Sequence, residues 1–415
     1  MKKILGLVIL LIPFWVQAQI TQWRGPERSG IFNETGLLKQ WPEQGPELLL
    51  KVDGLGKGWS SPIPYRGKIY VTGMIDTLDY LSCIDANGTI EWQTPYGRSW
   101  SQSYPDTRST PTIENGLIYL SSGSGEVVCI DAYSGKAVWH QNVFAENKGE
   151  AGRWGVAESI LLVDNKVVFT TGGKQTLMVA LNKKTGEEVW KTKSLNDEIG
   201  YVSPILVEQN GVKQIISLSA RNLFGINPEN GEIMWNYDYM NIDDAEWGEN
   251  GAVINCTSPI YHNNELYVTS GYNHIGAKFK LEEDLSGVEL LWKDKLLDNH
   301  HGGVVVLDGV IYGSNWENNS RGNWCAISFD TGEKFYEEKF QNKGSIIAAD
   351  EMLYIYTEQP GVVGLVRPNK EKFDLVSSFR ITEGGGPNWA HPYIRNGKLY
   401  IRHGEVLFVY NIKAE

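Results

Sequence analysis

Cations are scarce: lysine and arginine number 38 against 50 acidic residues in a chain of 415, and nowhere do they cluster. The formal charge of −12 becomes more negative still if Lys2 and Lys3 leave with a leader. That balance argues against nucleic acid and anionic membrane as partners, because both are held through concentrated positive charge. Cysteine is scarce as well. Cys83, Cys129, Cys256 and Cys325 form no CxxC and no Cys/His ligand spacing, so no metal site is expected. Cys83 and Cys129 take the same place in successive repeats, on strands of packed sheets about 10 Å apart, too far for a disulfide. All four thiols read as buried small hydrophobes.

Catalytic signatures are missing too. There is no GxSxG elbow, HExxH helix or P-loop, and Gly384-Gly385-Gly386 runs into Pro387 rather than a helix. The acidic pairs Asp243-Asp244 and Glu282-Glu283 read as solvated loop charge. Catalytic residues therefore stay unassigned, although two carboxylates brought together from distant segments would escape a linear reading.

Only one long apolar run occurs, Ile4 to Trp15, after Lys2 and Lys3 and before Val16-Gln17-Ala18. Residues 1–18 read as a cleaved signal peptide, too short for a comfortable span. No cysteine follows that could be lipidated. A periplasmic or secreted mature chain without a transmembrane segment is expected.

What the chain has in abundance is repetition. Short strand signals return every 42 to 51 residues, at Tyr70, Tyr119, Val168, Ile216, Tyr267, Tyr312, Tyr354 and Tyr400, a period that denotes a propeller or solenoid. Each unit carries four short strands. The last two are joined by turns such as Asp131-Ala132-Tyr133-Ser134-Gly135 ahead of Trp139, with equivalents before Trp92, Trp190 and Trp235. In such turns Gly supplies positive φ and Asp or Asn bonds back to the backbone. The spacing slips at Gly287 and Trp292, Tyr336 replaces the Trp of the sixth unit, and the seventh, Lys370 to Phe379, loses both.

The eighth unit reaches only its third strand, Glu405 to Asn411, while Pro46 to Val52 looks like an orphan fourth strand. Pairing the two would close a ring and remove an exposed edge. The fold expected is all-β: an eight-bladed propeller of four-stranded antiparallel blades over residues 45–415, closed by an N-terminal strand and preceded by a lead-in at 19–44.

Nine residues before each marker the innermost strands read Ser61, Thr110, Ser159, Ser203, Ser258, Gly303, Ser345 and His391, with Ser203 placed after allowing for a loop insertion. Small side chains suit the crowded axis, so this ring reads as packing with His391 as its exception. Two residues earlier stand Trp59, Arg108, Ala157, Tyr201, Cys256, His301, Lys343 and Trp389. Nearby loops add Arg153, Trp154, Glu249, Asn250 and His300. These would form a concave mouth, the usual ligand site of a ring fold. The candidate ligand-binding set is thus Trp59, Arg108, Arg153, Trp154, Tyr201, His300, His301, Lys343, Trp389 and His391. Of the 15 Trp, those at 92, 139, 190, 235 and 292 are explained by the repeat. Trp59, Trp100, Trp154, Trp247, Trp316, Trp324 and Trp389 are not, and they read as loop residues able to stack on a ligand such as a sugar.

The Asp-Ala-x-x-Gly-x-x-x-Trp run resembles the repeat of PQQ-like β-propellers, most clearly at Cys129 to Trp139, Ala180 to Trp190 and Ile226 to Trp235. Trp23-Arg24-Gly25-Pro26, Glu34-Thr35-Gly36-Leu37 and Trp41-Pro42 resemble the lead-in of secreted bacterial members. That family includes quinoprotein alcohol dehydrogenases and the outer-membrane assembly factor scaffold. In the dehydrogenases PQQ lies between a tryptophan floor and a vicinal cysteine pair, with calcium held by Glu and Asn and an Asp as base. Here no two cysteines are adjacent, and Trp389 or Trp59 with Glu249-Asn250 would be loose counterparts at best. The resemblance therefore implies the fold, with no cofactor expected. The ring fold, the loop aromatics and the missing catalytic motifs point to a non-catalytic binding or scaffold protein taking a protein or carbohydrate ligand at the channel mouth. The alternatives are a PQQ- and calcium-dependent dehydrogenase and a carbohydrate-active hydrolase or lyase.

Overall fold

A computed structural model describes residues 20–242 and 254–414. The signal segment at 1–18, Asp243-Asp244, Trp247 and Glu249-Asn250 lie outside them.

The described strands form eight sheets, seven of four strands and one of five. All eight markers fall on the second strand of their blades, from Tyr70 in Lys68–Ile75 to Tyr400 in Lys398–His403. Blade 8 is composite, as expected: Glu47–Val52 pairs antiparallel with Val406–Asn411, Lys51 opposite Phe408.

Turn chemistry explains how neighbouring blades lock. Asp131 Oδ1 accepts the N–H groups of Tyr133 and Ser134, at 3.2 and 2.8 Å, and Gly135 takes φ +69°. A Cβ on Gly135 would strike the Trp92 indole of the preceding blade, and Gly186 is pressed in the same way on Trp139. The Trp139 indole N–H then donates to Lys183 O at 2.8 Å, and that of Trp190 to Pro228 O at 2.9 Å. Each Trp thus buries its ring beneath the next blade's turn, about 1.5–3 kcal/mol for a large apolar side chain. Trp235 departs from this, donating within its own blade to Gln214 Oε1 at 2.9 Å.

Packing alone does not account for the ring of small residues at the axis. Thr110 Oγ1 accepts the Ser61 N–H at 2.9 Å, Ser159 Oγ that of Thr110 at 3.1 Å, Ser203 Oγ that of Ser159 at 3.0 Å, and Ser258 Oγ that of Ser203 at 3.0 Å. These hydroxyls tie blades 1 to 5 edge to edge, just ahead of ladders that begin at residues such as Ile63 and Thr112. Ser203→Ala leaves a buried N–H without an acceptor and is expected to cost about 1–2 kcal/mol of stability. Denaturant unfolding measures it; an unchanged midpoint would return this ring to packing alone.

The lead-in is more than a preface to the ring. Ile31–Phe32 pairs parallel with Gly344–Ala349, on the inner side of blade 7, making the five-stranded sheet. Thr21 bridges to Ile113 of blade 2, and Glu34 accepts the N–H groups of Asn396 and Gly397 at the tip of a blade 8 hairpin. The segment therefore crosses one end of the channel and carries two fully buried arginines into it. Arg24 donates to Ile346 O at 3.1 Å, Val304 O at 2.5 Å, Gly302 O at 3.4 Å and His391 Nδ1 at 3.1 Å. Arg28 donates to Ser159 O at 3.0 Å, Pro204 O at 2.8 Å and Ile160 O. The missing side chain at Gly303 makes room for Arg24, since a Cβ there would collide with the guanidinium. Burial pulls both guanidinium groups down to about 9, so they stay cationic at neutral pH. Arg402 ties blade 8 to blade 1 in the same manner, through Ser60 Oγ at 2.8 Å and Gly56 O at 2.9 Å.

Candidate functional site

Where the lead-in closes one end of the channel, the other end opens as a cavity of about 1000 Å³. Nine of the ten predicted site residues line it: Trp59, Arg108, Arg153, Trp154, Tyr201, His300, His301, Trp389 and His391. Trp59, Arg108, Tyr201, His301 and Trp389 converge because equivalent positions of successive blades point to the same end of a common axis, while Arg153, Trp154 and His300 are added by the adjoining loops and His391 by the ring of small residues.

The tenth, Lys343, needs correction. It lies behind the wall, 1 % exposed, with its ammonium 3.0 Å from Glu358 Oε2 and donating to Asn319 O at 2.9 Å. A long cation at a packed position turns toward the carboxylate that neutralises it. His391 lines the wall but has no free ring nitrogen: Nε2 donates to His301 O at 2.9 Å, which leaves Nδ1 to accept from Arg24. Trp324 is also corrected. It belongs to the blade 6 strand Trp324–Ser328, is buried, and donates to Phe340 O and Asn342 O at 3.2 and 3.1 Å. Trp100 donates to Ser103 O at 3.2 Å, bracing its own loop.

Aromatic rings dominate the wall. Trp59 meets Trp389 at 4.5 Å between centroids, Trp389 meets His301 at 4.7 Å, and Trp154 meets Tyr201 at 5.4 Å, all edge to face. Two cations are seated on these rings: Arg108 lies 5.1 Å from the Trp59 ring and Arg153 5.1 Å from that of Trp154. Burial pulls Arg108 down to about 10, so it remains charged, and pushes the Tyr201 phenol up to about 12, keeping it neutral. The Tyr201 hydroxyl accepts the Trp154 N–H at 3.0 Å.

Several lining residues were not among those predicted. Trp23, from the lead-in, stands in the floor with its ring 5.3 Å from His391. Its only sequence signal was the Trp-Arg-Gly-Pro motif. Tyr104 and Tyr272 come from loops without periodic position, as does Trp316, which the surplus of non-repeat Trp had already singled out. Glu358 follows the blade 7 strand Met352–Thr357 and is buried. Its two oxygens face Lys343 and, at 3.7 Å, His300 Nδ1.

One side-chain cluster has no counterpart in linear spacing. Cys256, His300 and His301 each offer a ligand atom within 4.8 Å of the others. Linear spacing hides them because Cys256 belongs to blade 5 and the histidines to blade 6. Their common register on the axis was the available signal. All four cysteines are buried and free. Among the described residues, no helix is long and apolar enough to cross a membrane.

Comparison with known proteins agrees with this architecture. The family model described as outer membrane protein assembly factor BamB matches residues 77–338. An uncharacterized protein of Rickettsia conorii is 28% identical over 212 residues, covering 49% of this chain and 47% of that protein. Quinoprotein alcohol dehydrogenase PedH of Pseudomonas putida is 31% identical over 138 residues, 31% of this chain and 22% of its own length. Outer membrane protein assembly factor BamB of Shewanella oneidensis is 22% identical over 292 residues, 65% of this chain and 68% of that one. The chain thus spans about half or less of the first two relatives. Among solved structures, a europium-containing methanol dehydrogenase superposes with a TM-score of 0.70 at 11% identity, over 93% of this chain and 90% of that one. BamB from Moraxella catarrhalis does so at 0.62 and 14%, over 88% and 99%. These likenesses establish the shared fold. With eight blades in place and more than half of its length matched by the family model, the chain belongs to the BamB family of PQQ-like β-propellers.

Proposed function

We propose that this chain is a non-catalytic binding propeller of the bacterial envelope whose channel cavity takes a carbohydrate ligand. One observation carries the reading: Trp23, Trp59, Trp154, Trp316 and Trp389 surround a single cavity of about 1000 Å³, a size suited to a small-molecule or short oligosaccharide ligand. Stacking faces beside seated guanidinium groups and loop amides such as Asn318 and Asn319 offer both surfaces that a sugar ring presents, apolar C–H faces and hydroxyl edges. A blind cavity also favours a ligand that inserts over a flat protein face.

Hydrolysis is less well served. The buried carboxylate Glu358 is already engaged by Lys343, and the other lining carboxylate, Glu317, is exposed. PQQ and calcium also fit the described residues poorly. No two cysteines are adjacent in the chain, so no vicinal pair can face a tryptophan floor. The lining residues bring no second buried carboxylate beside Glu358. The envelope location rests on the N-terminal leader pattern and on the name of the matched family.

A glycan array with the mature chain, paired with a pull-down, tests the proposal. Trp154→Ala and Trp389→Ala are expected to weaken capture about 30-fold, the factor that corresponds to ~2 kcal/mol for a buried aromatic contact, while melting stays near wild type. Unchanged capture by both variants would reject the site. A silent array with a protein captured through the same residues would replace the glycan by a protein ligand.

A further inference from the structure

We propose that Cys256, His300 and His301, backed by Glu358, bind one thiophilic transition-metal ion, Zn²⁺ or Cu⁺, reached from the channel cavity. The donor set is a thiolate and two imidazoles, the chemistry that selects these ions over Ca²⁺ or Mg²⁺. The site goes beyond the carbohydrate reading and does not depend on it.

The surroundings prepare these groups for coordination. Tyr272 OH lies 2.8 Å from His300 Nε2, a contact that fixes the ring as the outer hydrogen bonds of metal-bound histidines do. The opposite nitrogen, Nδ1, is buried with no hydrogen-bond partner, and the same is true of His301 Nδ1. If Nε2 carries the proton, the lone pair on Nδ1 points at Glu358 Oε1, 3.7 Å away. In that tautomer two acceptors face each other in a buried place, a gap that a cation between them would fill. Their separation suits one, since ligands on a tetrahedral ion with bonds of about 2.0–2.3 Å stand roughly 3.3–3.8 Å apart. Lys343 occupies the other carboxylate oxygen, leaving Oε1 on the histidine side.

The backbone holds the group in place. Asn299 donates through its side chain to Ser314 O at 2.7 Å, and its N–H donates to Thr269 Oγ1 at 2.9 Å. Gly271, at φ +73°, packs against the His300 backbone. Cys256 Sγ lies 2.9 Å from His300 O and 3.1 Å from Ser270 O, so without an ion its S–H donates to one of these carbonyls. Burial keeps that thiol protonated and both imidazoles neutral. Coordination exchanges the S–H bond for an S–metal bond and releases one proton to solvent, with no change of oxidation state. The three donor atoms lie up to 4.8 Å apart, so binding draws them inward. Cys256, His300, His301 and Glu358 all line the cavity, which leaves the ion a face open to a small exogenous ligand.

Co²⁺ is the probe. Chelator-stripped mature protein is expected to bind one Co²⁺ per chain with a sulfur-to-metal charge-transfer band in the near ultraviolet. Zn²⁺ should bleach it, and competition against a Cu⁺ chelator assigns Cu⁺ instead if only that ion binds. Cys256→Ser should abolish the band, and His301→Gln, which keeps a side chain of similar size at a partly buried position, should weaken binding at least tenfold while thermal melting stays near wild type. Cys83→Ser and Cys325→Ser should retain both. The proposal is overturned if neither Co²⁺ nor Cu⁺ binds, or if the thiolate band survives Cys256→Ser. These readouts do not involve glycan capture, so each proposal can fail alone.

Discussion

Arg24→Met is expected to lower the unfolding free energy by about 3–5 kcal/mol. The guanidinium serves the carbonyls of Gly302, Val304, Ile346 and Ser29 and the His391 ring from one buried point. Methionine fills much of the volume and supplies no donor, and each orphaned acceptor costs about 1–3 kcal/mol. Against this stands the release of a desolvated charge, worth several kcal/mol. With four carbonyls losing their donor, the acceptors outweigh it. Blades 1 to 5 keep their hydroxyl links, so the damage should concentrate on blades 6 to 8 and on the lead-in. Limited proteolysis should cut the variant near residues 20–36 well before the ring opens. A variant that unfolds and resists protease like wild type would show that the lead-in merely rests on the channel.

The second large effect is set by pH. Burial pushes the Glu158 carboxyl up to about 8 against an ordinary value near 4.5, outweighing the nearby Arg28, while both carboxyl oxygens lie 3.2 Å from the Thr170 N–H. An acid raised in the folded state binds more protons there than in the unfolded chain. Its contribution is therefore complete below about pH 4.5 and lost as pH rises toward 8. At about 1.4 kcal/mol per unit, the loss across that window reaches ~5 kcal/mol as an upper limit. Glu158→Gln keeps an acceptor for Thr170 and removes the titration. The variant should match wild type near pH 5 and exceed it by several kcal/mol near pH 9, read from denaturant midpoints at each pH. A wild-type midpoint that climbs between pH 5 and 8 by an amount that vanishes in Glu158→Gln would mean that Glu158 is ionised beside Arg28.

The blades were legible because their determinants are local. Four short strands, an Asp or Asn before a Gly, and a Trp beyond it repeat within each unit, and the ring follows once Glu47–Val52 is recognised as the strand blade 8 lacks. The cavity was legible through the same register, which placed Trp59, Arg108, His301 and Trp389 at equivalent points. Contacts that obey no period stayed hidden. Nothing around Arg24 and Arg28 discloses that they reach carbonyls hundreds of residues away, and no spacing rule joins Cys256 to His300. Trp324 was misplaced because it sits inside a strand at a position other blades do not fill with Trp. Lys343 has the correct register but turns aside to Glu358, a choice made by charge within the folded wall.

The composite blade also orders events in time. Glu47–Val52 is synthesised long before its partner Val406–Asn411. Until then Glu47–Val52 has an unpaired edge, and Leu48 and Leu49 stay exposed even in the finished ring, so the nascent chain carries an adhesive edge while all the blades between the two strands are made. The entropic cost of joining such distant segments grows only logarithmically with the intervening length. The delay therefore weighs on the rate of folding more than on the stability of the finished ring.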